Sequence, residues 1–199
     1  MLTAVIVLAG PVSAAQYEPP AHAPDPVAQR DELIALYDEI CLRAFPDDDA
    51  TARAAAGHGA TLLSAAGVRR FLHDDPGIGW VLQGRTGRFH VMLEQAPPYH
   101  SCSVRTLTAN GFADLAPYQA LAARYEQDRH FEPITRVERN LGDVHIVGFG
   151  ESFTAPGGDS ELLLVAITRA LDEHRTRGHT AIEVRFEHQF YTAPVTHGS

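Results

Sequence analysis

The chain is predicted to be α+β, with a mostly antiparallel sheet packed against N-terminal and central helices. Three features of its 199 residues point there. Apolar residues recur at three- and four-residue steps near residue 26 and again near residue 114, marking two helices. Strand-like segments come in two blocks instead of alternating with helices. Short Gly- and Pro-containing turns join those strands as hairpins, which favours antiparallel pairing over crossover units.

Asp25-Pro26 reads as an N-cap with proline at the first helical position. Leu33, Ile34, Tyr37, Ile40, Cys41 and Ala44 then form the inner stripe of a helix over 26–44, stopped by Pro46. Asp47-Asp48-Asp49 caps a short alanine-rich helix that the glycines at 57 and 59 end. Ser64 caps another, with Val68, Phe71 and Leu72 inward, running out at His73-Asp74-Asp75-Pro76-Gly77. The period then changes to two. Trp80–Gln83, Arg88–Glu94 and Tyr99–Leu107 read as strands joined by Gly84-Arg85-Thr86-Gly87 and Gln95-Ala96-Pro97-Pro98. Asp114 opens the central helix, which carries Leu115, Tyr118, Leu121, Ala122 and Tyr125 and closes near Asp128.

A second strand block follows: Ile134–Glu138, Asp143–Thr154 and Ala181–Tyr191. In the last of these, Ile182, Val184, Phe186, His188 and Phe190 share one face. Glu183, Arg185, Glu187 and Gln189 share the other, read as a solvated face with cross-strand ion pairs. The segment 161–175 fits either a helix with a Leu163, Ala166, Ile167, Ala170, Leu171 stripe or a strand centred on Leu-Leu-Leu-Val-Ala-Ile-Thr; the strand is preferred. No short sequence repeat is evident, although the helix-then-strands order recurs once.

Residues 2–9 form a short apolar run, broken by Gly10-Pro11 and followed by the small residues Val12-Ser13-Ala14-Ala15. That is the pattern of a cleavable export signal, and it is far below the roughly 18 residues of a membrane-spanning helix. A first buried strand over Ala4–Leu8 is the competing reading. No Lys or Arg follows Met1, which leaves open a longer signal or an upstream start. Residues 16–26 hold four prolines and read as an extended spacer. The expected organisation is a signal over 1–15, a spacer over 16–25, one α+β domain over 26–192 and a tail over 193–199.

The 16 basic residues are all Arg, against 25 Asp and Glu, so the formal charge is −9. A basic footprint for nucleic acid is missing. Without lysine there is no Schiff-base, phosphate-loop or Ser-Lys chemistry. Eleven histidines show no His-Glu-x-x-His, no His-x-His and no Cys-x-x-Cys spacing, so no metal and no cofactor is expected. Gly148 and Gly150 precede no helix, and a strand bulge or tight packing explains them better than a phosphate cradle. No Gly-x-Ser-x-Gly elbow is present.

Two cysteines carry the strongest physical signal. Cys41 lies on the stripe of the first helix. Cys102 alternates in phase with Val104 and, across the hairpin, with Phe89, Val91 and Leu93. Both thiols then face one helix–sheet interface, and in an exported chain they are expected to be joined, with two buried free thiols as the competing reading.

Several stretches resemble an uncharacterised family of small exported proteobacterial proteins. They are Ile40-Cys41 with Phe45-Pro46, Leu63-Ser64 with Val68-Arg69 and Phe71-Leu72, Asp75-Pro76-Gly77-Ile78-Gly79-Trp80, and His100-Ser101-Cys102-Ser103-Val104-Arg105. The resemblance spans roughly 26–130 and, more weakly, Glu183-Val184-Arg185-Phe186. It implies a signal peptide and the Cys41–Cys102 pair, and no activity. Relatives that look like lipoproteins need an N-terminal cysteine that this chain lacks.

The function expected from these observations is that of an exported periplasmic protein that binds a small molecule or an envelope protein, without nucleic acid and without a stable membrane span once the signal is cut. A small hydrolase using histidine or carboxylate groups is the competing class. His73, Asp75, His100 and Arg105 form the candidate site: clustering in a concavity would favour the enzyme, dispersal the binder. Sequencing the N-terminus of periplasmic material should find a start near Ala15 or Gln16. Intact Met1 recovered from the cytosol would overturn the export reading.

Overall fold

The computed structural model describes residues 24–127, 129–171 and 181–193. The expected signal, most of the spacer, Asp128, the end of the 161–175 segment and the tail from 194 onward lie outside them. The described elements are α1 (Pro26–Tyr37) continued by a π-helical turn (Asp38–Leu42), α2 (Asp48–Gly57), β1 (Thr61–Leu62), α3 (Ala65–Leu72), β2 (Gly77–Gln83), β3 (Arg88–Glu94), β4 (Tyr99–Thr108), α4 (Ala116–Glu126), β5 (Glu132–Leu141), β6 (Val144–Thr154), β7 (Ser160–Ala170) and β8 (Ile182–Tyr191). The fold is α+β, as expected.

All strands pair antiparallel in one sheet ordered β1-β2-β3-β4-β8-β7-β6-β5. The first half runs α1, α2, β1 and α3 into the β2–β4 meander, the second runs α4 into the β5–β8 meander, and the two meanders meet along β4 and β8. The ambiguous segment is strand β7, paired with β6 on one side and β8 on the other. Its continuous apolar run suits a strand with neighbours on both sides.

Three helices start where the capping residues place them, whereas α4 starts at Ala116 with Leu115, not Asp114, at its N-cap. Asp25 accepts from the Val27 amide at 3.0 Å, Asp47 from Ala50 at 2.8 Å and Ser64 from Gly67 at 3.2 Å. The first helix departs from the expected regular run to residue 44. Its last turn widens to i→i+5 bonding, with the Arg43 amide donating to the Asp38 carbonyl at 3.0 Å. Leu36, before the widened turn, and Leu42, within it, are buried beside Leu33, Tyr37, Ile40 and Cys41.

The main core lies between this helix, α4 and one face of the sheet: Trp80, Leu82, Phe89, Val91, Leu93, Cys102, Val104, Leu163, Val165, Val184 and Phe186. Helix α3 covers the opposite face, with Phe71 4.7 Å from the His90 ring. In β3–β4, Leu93 pairs with Cys102 and Val91 with Val104, the register that turns Cys102 inward. Ser101 and Ser103 are themselves buried, on the opposite face, and a one-residue slip would turn them into the apolar core.

Cys41 and Cys102 are joined, with Cα atoms 5.3 Å apart and a sequence separation of 61. Gly150 is fixed by packing, because a Cβ there would sit 2.0 Å from the Leu163 carbonyl oxygen. The strand β5 bulges between Ile134 and Val137, opposite Gly150 and Gly148. Bulge and tight packing both occur at the glycines that suggested them.

Non-reducing peptide mapping should link the Cys41 and Cys102 peptides. Cys41→Ala and Cys102→Ala should each lower stability by about 2–5 kcal/mol in denaturant titrations. The double variant should cost little more than either, since a single bond is lost in all three.

Candidate functional site

The four residues singled out from sequence do not converge on one concavity. His73 ends α3 with φ +55° and is exposed, and Asp75, in the following turn, is exposed too. His100 and Arg105 are five residues apart on β4 and therefore face opposite sides of the sheet. His100 bonds Asp48 of α2 at 2.8 Å and lies edge-on to Phe45 at 4.6 Å. Arg105 is buried under the Phe71 ring at 5.1 Å, donates to the Ser103 hydroxyl at 3.1 Å and reaches Glu183 at 3.6 Å. Burial brings its guanidinium down to about 10. The charged face of β8 is less solvated than expected: ion pairs are present, but Glu187 is buried and 3.3 Å from Arg185.

A different set of side chains does converge, on the inner face beside the disulfide. His188 is fully buried, opposite Cys102 in the β4–β8 register. Its Nδ1 donates to the Cys41 carbonyl at 2.8 Å, a helix-end oxygen for which the i+5 residue, Pro46, has no N–H to offer. Its Nε2 lies 2.8 Å from Glu161 Oε1. Both partners can only accept while Glu161 is ionised, so the ring donates from both nitrogens, as an imidazolium against a carboxylate. Tyr125 donates to the same oxygen at 2.7 Å, and Arg129 holds the other oxygen. Burial alone would raise the Glu161 carboxyl; the His188 and Tyr125 hydrogen bonds and the Arg129 charge overcome it and hold it below its ordinary value. Burial, and then the bond to Glu161, push Tyr125 up to about 12. Every polar atom of the His188–Glu161 pair has a partner, which marks the network as a fastening of α4, β7, β8 and the π-turn.

Unsatisfied polar atoms occur elsewhere. A cavity of about 210 Å³ opens between α4 and the β5–β6 pair, walled by Ala122, Ile134, Phe149 and Leu163 and edged by Tyr118 and Glu151. Tyr118 is 4% exposed. Its hydroxyl lies near that of Tyr37 yet forms no hydrogen bond of normal geometry among the described residues. Glu126 sits two turns further along α4 on the same face, outside the cavity lining, with its Oε1 buried and its carboxyl facing that of Glu151. Burial first, and then the facing Glu151 by hydrogen bonding and by charge, push Glu126 up to about 7, while Arg129 pulls the other way. The two carboxyls therefore hold a proton between them near neutrality.

Neither glutamate belongs to a sequence motif; the strand pairing brings residues 25 apart in the chain together. A helix face reading Tyr118, Ala122, Glu126 at four-residue steps was the available signal, with an acid in line with an apolar stripe. Among the described residues no group of three or more His, Cys, Asp or Glu is placed to hold a metal ion. No described helix is long and apolar enough to cross a membrane.

Glu161→Gln should cost about 3–5 kcal/mol at neutral pH, because it strands the buried His188 without its carboxylate and leaves the half-exposed Arg129 without its partner. The Glu161 carboxyl is held low in the fold, so its contribution is present above the ordinary carboxylate range and is lost as pH falls through the depressed value. Denaturant titrations from neutral to acid pH should show the gap between parent and variant closing in acid.

No protein-family model, no characterised protein and no solved structure matches the chain.

Proposed function

We propose that the chain is an exported, disulfide-stapled protein that binds a small ligand in the cavity between α4 and β5–β6. The observation that carries this reading is the cavity itself, in which an apolar wall of Ala122, Ile134, Phe149 and Leu163 meets the polar residues Tyr118, Gln119 and Glu151 at its edge. Ligand sites combine apolar lining with a few convergent polar groups. At about 210 Å³ the cavity is smaller than the roughly 300–1,000 Å³ clefts that take drug-sized molecules. The ligand is therefore small. Export is supported by the disulfide and by the apolar N-terminal run followed by small residues.

The competing reading, a hydrolase, draws support from the same place. A carboxyl that exchanges its proton near pH 7 beside a second carboxyl has the makings of a general acid and base. Binding is preferred because, among the described residues, no nucleophile–base pair lines the cavity, and the His188–Glu161 pair is sealed in the core.

Native mass spectrometry of protein recovered from the periplasm should show an added small mass that Ala122→Phe, which fills the cavity, removes. A protein without added mass that also shows no saturable fragment binding by ligand-observed NMR would overturn the proposal. Glu126 supplies a pH signature. Its carboxyl is raised in the fold, so its favourable contribution is complete below the ordinary carboxylate value and is lost as pH rises to about 7. Thermal melts should show the parent losing stability over that interval relative to Glu126→Gln.

A further inference from the structure

We propose that two copies of this chain join edge to edge along β5, antiparallel and about a twofold axis at Val137, to form one continuous sheet. The proposal does not depend on the ligand-binding reading. It starts from the unequal ends of the sheet. At one end β1 has two residues, while at the other β5 has ten. A long edge strand presents a row of unpaired N–H and C=O groups, which proteins ordinarily shorten, cover or charge. Among the described residues β5 pairs with β6 alone, and nine of its ten residues are exposed. Val137, at 49% exposure, is one of two large apolar side chains left open on it. Charge is present as Arg136, Glu138 and Arg139. Such charges usually keep other strands away; here their order admits one partner.

A twofold axis that sets two copies of an edge strand antiparallel must run normal to the sheet. Directly opposed residues then share a face, and because faces alternate along a strand the axis passes through a residue, not between two. Arg136 and Glu138 do share a face, since they pair within the strand at 2.6 Å, and each stays half exposed or more. An axis at Arg136 sets that arginine against its own copy. An axis at Glu138 sets glutamate against glutamate, and one at Arg139 sets arginine against arginine. Only an axis at Val137, among these four positions, sets Arg136 of each copy opposite Glu138 of the other, with the two Val137 side chains meeting at the centre. Directly opposed like charges destabilise a strand pair, whereas opposite charges and apolar pairs support it. The bulge ahead of Val137 leaves Val137–Leu141 in unbroken register with β6, so a second copy meets an ordered strand from the axis onward. The resulting contact is self-complementary, with main-chain bonds giving the attraction and the charge order giving the register. One strand against one strand is at the small end of specific interfaces, so a micromolar dissociation constant is expected.

The test is sedimentation equilibrium of the full chain from micromolar to millimolar concentration, with circular dichroism on every variant. The parent should form a reversible dimer. Arg136→Glu sets glutamates against one another and Glu138→Arg sets arginines against one another, so each should weaken the dimer by about 10- to 100-fold. Mixed in equal amounts, the two variants should form a heterodimer, because opposite charges then face each other again. The double variant R136E/E138R should dimerise like the parent for the same reason. Recovery on mixing cannot come from a change in the folding of either chain. A parent that stays monomeric throughout, a dimer that the single reversals leave intact, or variants that fail to recover on mixing would each overturn the proposal.

Discussion

The Cys41–Cys102 bond is the constraint on which the arrangement of the two halves depends. The meanders β1–β4 and β5–β8 share a single seam, the β4–β8 pair. Cys102 is on one side of that seam and His188 is its direct partner on the other. The π-turn after α1 is therefore held to both strands at one place, covalently through Cys41 Sγ and by hydrogen bond through the Cys41 carbonyl. Tyr37, one turn earlier, adds a bond to the Glu187 carbonyl of β8 at 3.1 Å. A disulfide closing so long a loop restricts the unfolded chain, and here it also fixes which helical turn sits over the seam.

That fixing explains why charge is tolerated in the core. A buried imidazolium and carboxylate cost several kcal/mol of desolvation each, and only full hydrogen bonding offsets it. The network meets the condition: His188 donates twice, and Glu161 accepts from His188, Tyr125 and Arg129. Its members come from α4, the segment after it, β7 and β8, so it closes only when the second helix is docked on the second meander. The disulfide fastens the first helix and the charged network fastens the second, and His188 belongs to both fastenings. Apolar substitutes could supply comparable stability, but they would not demand one docking geometry so narrowly.

The parts of this structure legible in sequence are those governed by local period. Alternation in 88–94 and 99–107 was enough to set the register that buries Cys102, and a five-residue separation already implies that His100 and Arg105 face apart. The glycines at 148 and 150 announced an irregularity, and the bulge lies opposite them. What stayed hidden depends on pairing between distant segments. Glu161 lies 27 residues from His188 and 36 from Tyr125, and no spacing rule joins them before the strand order is known. The π-turn was invisible because one extra residue in a helical turn leaves the apolar stripe plausible in either register. The Glu126–Glu151 encounter required both the position of α4 and the order β5-β6-β7.

The recurrence of helix and meander also shows why a cavity sits where it does. The first half buries its helix through a long apolar side, Leu33, Leu36, Tyr37, Ile40 and Leu42, with the disulfide at its end. The helix of the second half is carried by Tyr118, Leu121 and Ala122 and then by the polar Tyr125 and Glu126. Beneath it the sheet offers Gly150, whose missing side chain lets β6 and β7 approach but fills no space under the helix. The small Ala122 on the helix thus leaves volume above β5 and β6, bounded by Ile134, Phe149 and Leu163 on one side and by Tyr118 and Glu151 at its edge. Close packing in the first half supplies the stability that lets the second half stay underfilled, so the cavity follows from the division of labour between two similar halves held together at one seam.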